Sequence, residues 1–324
     1  MVSSGLRPMN VGIIFTLLVS ILLCAPAYAA DTAKDREFRL AAGIGDTYTL
    51  SELLDQGVDV NSANQFGKTA LMMAIENNNM DAVALLLARG ANVNTATVAG
   101  CTALTFAAEN GHDAMTAMLL ERGADLGAKT RAGWDALIIA SRYGLTDMVE
   151  QLLYKGADPN SRDKNDRTAL MHAAEKGHAE TAAMLIKGGA NLEAVDKHQS
   201  TALIIAADKG RSKVVDLLLE EGANKDATDE EGATALIWAV GQDQLVAASH
   251  LLSQGADVNL QDNDGVTALM EAASVRSERM VKLLLVNGAD IRLKDHSGRT
   301  ALEIARKKRN NTVIRLLEEA AEKR

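Results

Sequence analysis

Aromatic residues, proline and cysteine are scarce in this chain. Its 324 residues include two Trp, four Tyr, four Phe, three Pro and two Cys. Two cysteines cannot build a disulfide framework, so stability has to come from packed apolar surface. So few rings exclude a core built on aromatics, and they make any outward-facing ring conspicuous. Positive charge is also in deficit: 34 Lys and Arg stand against 43 Asp and Glu, a net charge of −9. That balance argues against DNA, RNA and anionic lipid as general partners. Catalytic motifs are missing too. There is no Gly-x-Ser-x-Gly, no His-Glu-x-x-His and no phosphate-binding Gly-rich loop. Asp262-Asn-Asp-Gly265 has the look of a calcium-loop fragment, but Glu271 is not at the spacing of the bidentate twelfth ligand. No pair among the six histidines has metal-ligand spacing with a supporting acid or Cys. No catalytic residue, metal or cofactor is expected.

What the chain has in abundance is periodicity. Thr-Ala-Leu returns every 33 residues, with its leucines at Leu71, Leu104, Leu137, Leu170, Leu203, Leu236, Leu269 and Leu302. Only the third copy departs, with Asp135 in place of Thr. A Gly-Ala-Asn/Asp run keeps the same step from Gly90 to Gly288. A fixed period of this length means a stack of small units, each burying its apolar face on its neighbours. Within a unit, a polar turn such as Asp262-Asn-Asp-Gly265 leads to Thr267, a good helix N-cap. A short helix follows with Leu269, Ala272 and Ala273 on one face, then a second with Val281, Leu284 and Leu285 at helical spacing. Gly288 ends it. The expected fold is all-α: a solenoid of about nine 33-residue helix-turn-helix units.

The pattern resembles the ankyrin repeat over about nine tenths of the chain. The likeness is closest from Asp163 to Ala194, which opens D-K-N-D-R-T-A-L-M-H-A-A-E-K-G-H. Two departures are systematic. Ala stands where the family has Pro after Thr. The family's His after Leu is replaced by Met72, Thr105, Ile138, Met171, Ile204, Ile237, Met270 and Glu303. Less polar tethering between units is therefore expected. Residues 34–61 read as an N-terminal capping repeat, 62–294 as full repeats and 295–324 as a polar C-terminal cap, together one domain over 30–324. Gln199 and Asp166 occupy the turn position that is Gly in other units, and an altered turn is expected at Gln199.

Residues 1–29 belong to a different object. Arg7 is the only charge before Asp31, and Val11 to Cys24 form an apolar run too short for a comfortable span. Ala27-Tyr28-Ala29 supplies the small residues of a cleavage site. The reading is a cleavable signal peptide of bacterial appearance, with an uncleaved anchor as the alternative. It places the repeats in the periplasm or outside the cell, with no membrane association of the mature form. Cleavage leaves Cys101 alone, as a redox-sensitive thiol or a tolerated small residue.

The resemblance implies that turn tips and first helices line a concave, partner-binding face. Trp134, Tyr143, Arg131 and Arg142 cluster there in one unit, and these residue types dominate binding hot spots. Trp134 reads as an outward turn side chain that supports little of the stack; the alternative is that its ring packs flat on an adjacent turn and that Arg142 pairs with a nearby Glu. Phe66, Lys164, Arg167 and Lys176 extend the patch, with Lys68, Glu76, Glu109 and Asn110 nearby. Phe106, His172 and Trp238 share a first-helix position where packing against the next unit is expected. The function implied is that of a monomeric, non-enzymatic module binding a protein or peptide of acidic character, to support or inhibit it. An effector acting on a host or competitor protein is the alternative, and an enzyme or small-molecule binder is disfavoured, because the fold offers an open groove instead of a closed apolar pocket.

Overall fold

In the computed structural model, residues 31–322 are described; the expected signal peptide lies outside them. The described chain forms eighteen helices in nine pairs. The pairs are α1 (Ala33–Ile44) and α2 (Thr47–Asp55), α3 (Ala70–Glu76) and α4 (Met80–Ala88), α5 (Ala103–Asn110) and α6 (Asp113–Glu121). The central pairs are α7 (Ala136–Tyr143) and α8 (Thr146–Tyr154), α9 (Ala169–Lys176) and α10 (Ala179–Lys187), α11 (Ala202–Asp208) and α12 (Ser212–Glu220). The last three are α13 (Ala235–Gly241) and α14 (Leu245–Ser253), α15 (Ala268–Ser274) and α16 (Glu278–Val286), α17 (Ala301–Lys307) and α18 (Asn311–Glu322). First helices pack on first helices and second helices on second helices along the stack.

Each first helix starts where its cap residue dictates. The hydroxyl of Thr168 accepts the Met171 N–H, and the equivalent threonines do the same in their units. Asp135, the one non-Thr cap, accepts the Ile138 N–H at 2.9 Å and also receives the Ser161 hydroxyl. Alanines then let neighbouring first helices approach. Ala107, Ala108, Ala140, Ala173, Ala174, Ala206, Ala207, Ala272 and Ala273 are all fully buried. Leucines and methionines of the second helices, such as Leu86, Met115, Leu152, Leu185, Leu218 and Leu284, close the other side. A single apolar core runs from Phe38 to Leu317. The first pair has its own anchor: Thr32 and Asp35 form a capping box, and buried Arg39 pairs with Asp31 at 2.5 Å.

The units are also stitched by polar ladders. One joins successive turn tips: Val98 N–H donates to Phe66 C=O, Arg131 to Ala99, Lys164 to Ala132, Lys197 to Asn165, Glu230 to His198, Asn263 to Glu231 and His296 to Asp264. A second joins the segments after the second helices. Asn61 Oδ1 accepts Asn92 N–H, Asn94 accepts Asp125, Asn160 accepts Asn191 and Asn259 accepts Asp290. Asn94, Asn160 and Asn259 also donate to the carbonyl of a glycine in the next unit. The family's missing histidines therefore do not leave the units untethered; backbone groups and asparagines carry the polar links instead.

The turn at Gln199 is unaltered, contrary to the sequence expectation. Gln199 adopts φ 58, as Asp166 adopts φ 59, close to the glycines at this position. Asp196 explains why. Its Oδ1 accepts the N–H groups of His198 and Ser200, and its carbonyl accepts Gln199 N–H. Three hydrogen bonds hold the loop, so the left-handed strain, of order 1–2 kcal/mol, is tolerated.

Glu193 and Asp226 take the place of Asn in two units, accepting the Asn224 and Asp257 N–H groups, and the ladder has one gap. Gly127 stands at the position of Asn94 and Asn160, so the Asp158 N–H has no such side chain to meet. Gly127 is not in the left-handed region, and a Cβ there would make only ordinary contact with Asp125, at 3.5 Å. Gly127→Asn should add the missing acceptor and restrict the unfolded chain, raising stability by about 1–2 kcal/mol. Urea denaturation checks this: the midpoint should rise, and Asn160→Gly should lower it. An unchanged or lower midpoint for Gly127→Asn would mean that the ladder does not support the stack.

Candidate functional site

Tips and first helices of successive units leave open notches between them. One is lined by Ala99, Cys101, Glu109, Thr130, Arg131, Ala132, Trp134, Ile139 and Tyr143 and holds about 250 Å³. It brings together three of the predicted residues, Arg131, Trp134 and Tyr143. Arg131 is exposed, Tyr143 is half exposed at the end of α7, and Trp134 is half-buried. Arg142 lies beside the notch, its guanidinium carbon 5.1 Å from the centre of the Trp134 ring. Such stacking presents a cation without removing it from water. Cys101 is free and lines the same notch.

Trp134 does more than point outward. Its Nε1 donates to Asp163 Oδ2 of the next unit at 3.1 Å. Its ring meets the His172 ring edge-on, with centroids 5.7 Å apart and planes at 74°. The expectation that this side chain supports little of the stack is thus corrected in favour of the packing alternative: it bridges two units. His172 Nε2 lies 3.0 Å from the same Asp163 oxygen. A carboxylate only accepts, so Nε2 carries the proton and Nδ1 is the bare nitrogen. That Nδ1 is buried without a partner. His172, expected to pack against the next unit, is 2% exposed. Burial pushes its pKa below the usual 6.5, opposed by Asp163 and reinforced by Arg167 and Arg142. Burial of Asp163 acts to raise its own pKa, but the Arg167 N–H, the His172 ring and the Asn165 N–H outweigh it and hold the carboxyl below its ordinary value.

The other predicted residues divide. Arg167 contacts Glu175 at 2.7 Å and Lys176 contacts the same carboxylate at 3.2 Å, so the two cations share one negative charge. Burial of Glu175 acts to raise its pKa, and Arg167 and Lys176 outweigh it to hold it low. Lys68 pairs with Glu76 and sits 5.0 Å over the Phe106 ring. Phe66 is 62% exposed at its own tip, outside the Trp134 notch. Lys164 is exposed at the tip position that Arg131 fills one unit earlier, and Lys197 fills it one unit later. Arg131, Lys164 and Lys197 form a basic row along the tips, and the next tip reverses sign with Glu230.

That reversal marks a second notch, which the sequence reading missed. It is lined by His198, Ser200, Ile204, Ile205, Asp208, Asp229, Glu230, Glu231 and Trp238 and holds about 270 Å³. It is the Trp134 notch displaced by three units. Arg131 becomes Glu230, Ala132 becomes Glu231 and Ile139 becomes Trp238. A third notch, beyond Trp238, is lined by Glu231, Asp262 and Glu271 among others. Burial, then the nearby Asp262, pushes the Glu271 carboxyl above its ordinary range. Comparing residues 99 apart along each structural row would have exposed the sign change. Among the described residues, no group of three or more His, Cys, Asp or Glu is placed to hold a metal ion. Nor is any described helix long and apolar enough to cross a membrane.

The buried His172 has a measurable consequence. The fold holds it neutral, with a pKa below 6.5, whereas the unfolded chain takes up a proton near 6.5. Its contribution to stability is full above pH 6.5 and is lost as pH falls below that value. His172→Ile, the residue type at 139 and 205, should remove this component. Between about pH 7.5 and 5.5 the wild-type melting temperature should fall more steeply than the variant's. Parallel curves would show that His172 is not held neutral.

Matched to models of known families, the chain fits the one described as ankyrin repeats (3 copies) over residues 38–130, 137–229, 197–262, 214–295 and 236–324. No curated protein matches it. Ankyrin repeats are in general protein–protein interaction modules, and the fold is typically a non-enzymatic binding scaffold. The matched segments run from the first helix pair to the last, and the chain belongs to the ankyrin-repeat family.

Proposed function

We propose that this protein is a non-enzymatic, monomeric binding module that acts outside the cytoplasm and holds a partner protein on its tip and first-helix face. The observation that carries the reading is the Trp134 notch: two aromatic side chains, an exposed arginine with no ion pair among the described residues and a stacked arginine around one opening. The notches hold about 230–270 Å³ and are open, below the range of about 300–1,000 Å³ usual for small-molecule sites. Each suits one side chain of a larger partner. The basic tips Arg131, Lys164 and Lys197 favour an acidic partner segment over units four to six.

Residues 1–29 carry the location. Their apolar run and Ala27-Tyr28-Ala29 support cleavage after Ala29 and export to the periplasm or beyond. N-terminal sequencing of the mature protein should begin at Ala30; an intact Met1 on the exported chain would support an anchor.

Because Trp134 also bridges units, the binding test belongs to its freer neighbours. Arg131→Glu should mainly slow association, since a reversed charge opposes an acidic partner. Tyr143→Ala should weaken binding by about 2 kcal/mol, the usual hot-spot threshold. Neither should shift the melting curve appreciably. Lys213→Glu on α12 should do little. Capture from the exported fraction, with intact and variant chains as bait, decides it. A partner retained by the intact chain and by Lys213→Glu, yet lost by the Arg131→Glu/Tyr143→Ala double variant, supports the assignment. Equal retention by all three removes this notch from the interface.

A further inference from the structure

We propose that the Trp238 notch is a second subsite of the same face, and that it takes a cationic side chain, Lys or Arg, of the bound protein. This rests on the face being the docking surface, but on a separate set of residues. The walls match the chemistry of such a side chain in each part. Ile204 and Ile205 are buried floor residues against which an alkyl stem can lie. Trp238 is half-buried and forms the wall between this notch and the next. Its Nε1 is tied to Asp229 Oδ2 at 2.6 Å, which fixes the ring in place. An indole face is the best aromatic surface for a cation.

The charges complete the match. Asp208, Glu230 and Glu231 ring the opening, and the one basic group on it, His198, is engaged by Glu230. Among the described residues, Asp208 forms one ion pair, with its exposed neighbour Lys209 at 2.9 Å. Glu231 makes no ion pair within the described residues and lines both notches beside Trp238. Its neighbour on the far side is the half-buried Glu271. A partner cation entering here would relieve a negative field that Lys209 and His198 offset only in part, whereas a carboxylate would add to it.

The two notches lie three units apart, about 24–30 Å at the usual spacing of packed helices. An extended segment covers that span in about eight or nine residues. The face therefore selects a partner segment of two signs: acidic where it passes Arg131, Lys164 and Lys197, and basic where it reaches Trp238. Opposed charges also fix direction, because a reversed segment would place like charges together at both ends.

A small probe tests the subsite alone. In a Trp134→Phe background Trp238 is the single tryptophan, so its fluorescence reports the notch directly. Titration with N-acetyl-arginine amide should give a saturable change, and the neutral isostere N-acetyl-citrulline amide should give none. Glu231→Gln and Asp208→Asn should each weaken the arginine response about threefold, as expected for partly exposed charge pairs. Circular dichroism and melting curves confirm that these surface variants remain folded. Equal responses to arginine and citrulline, or an arginine response untouched by both carboxylate variants, would overturn the proposal. Because the signal comes from Trp238 alone and both carboxylate variants lie outside the Trp134 notch, a failure here leaves the assignment of that notch standing, and the reverse holds as well.

Discussion

The structure depends on one repeated hydrogen bond, from the N–H of each turn tip to the carbonyl of the tip before it. Seven such bonds, from Val98 to His296, hold the tips in a single register. Apolar burial supplies most of the free energy of the stack, but burial is not directional. Alanine-lined helices could slide past one another at little cost. The ladder removes that freedom, and with it every side chain on a tip acquires a fixed neighbour one unit away.

Function follows from that register. Because the spacing never slips, an opening between two units recurs with the same geometry, and only its residues change. The notch around Trp134 and the notch around Trp238 are one piece of architecture with opposite chemistry. The turn-opening aspartates serve both levels. Asp163 and Asp229 each close their own turn through backbone N–H groups with one oxygen and hold a tryptophan with the other. Turn closure and ring placement are thus the work of a single carboxylate.

Much of this was legible in the sequence, for a physical reason. The cap Thr, the buried Leu and the chain-reversing Gly each answer a local need, so their spacing reveals the helix pairs directly. Interactions between units were harder to read. The bond from Trp134 to Asp163 joins residues of different repeats, and it shows only when tips are known to stack one unit apart. His172 and Trp238 occupy equivalent positions, yet one is sealed and the other half open, because Trp134 covers the first and nothing of that size stands before the second. Gln199 misled for a related reason. Its own conformational preference opposes the turn, and the three bonds from Asp196 decide the outcome. The change of sign along the tips is plain in the residues, but only after they are arranged by structural row instead of by repeat.

The most direct test of this account is amide hydrogen exchange at the tips, read residue by residue. The ladder amides of Val98, Arg131, Lys164, Lys197, Glu230, Asn263 and His296 should be protected although most of these side chains are exposed. The N–H groups of Ala99 and Ala132, whose carbonyls accept ladder bonds but which donate none themselves, should exchange far faster. Protection that is uniform and low across all tip residues would contradict the account, since units held by apolar contact alone would leave the notches without a fixed shape.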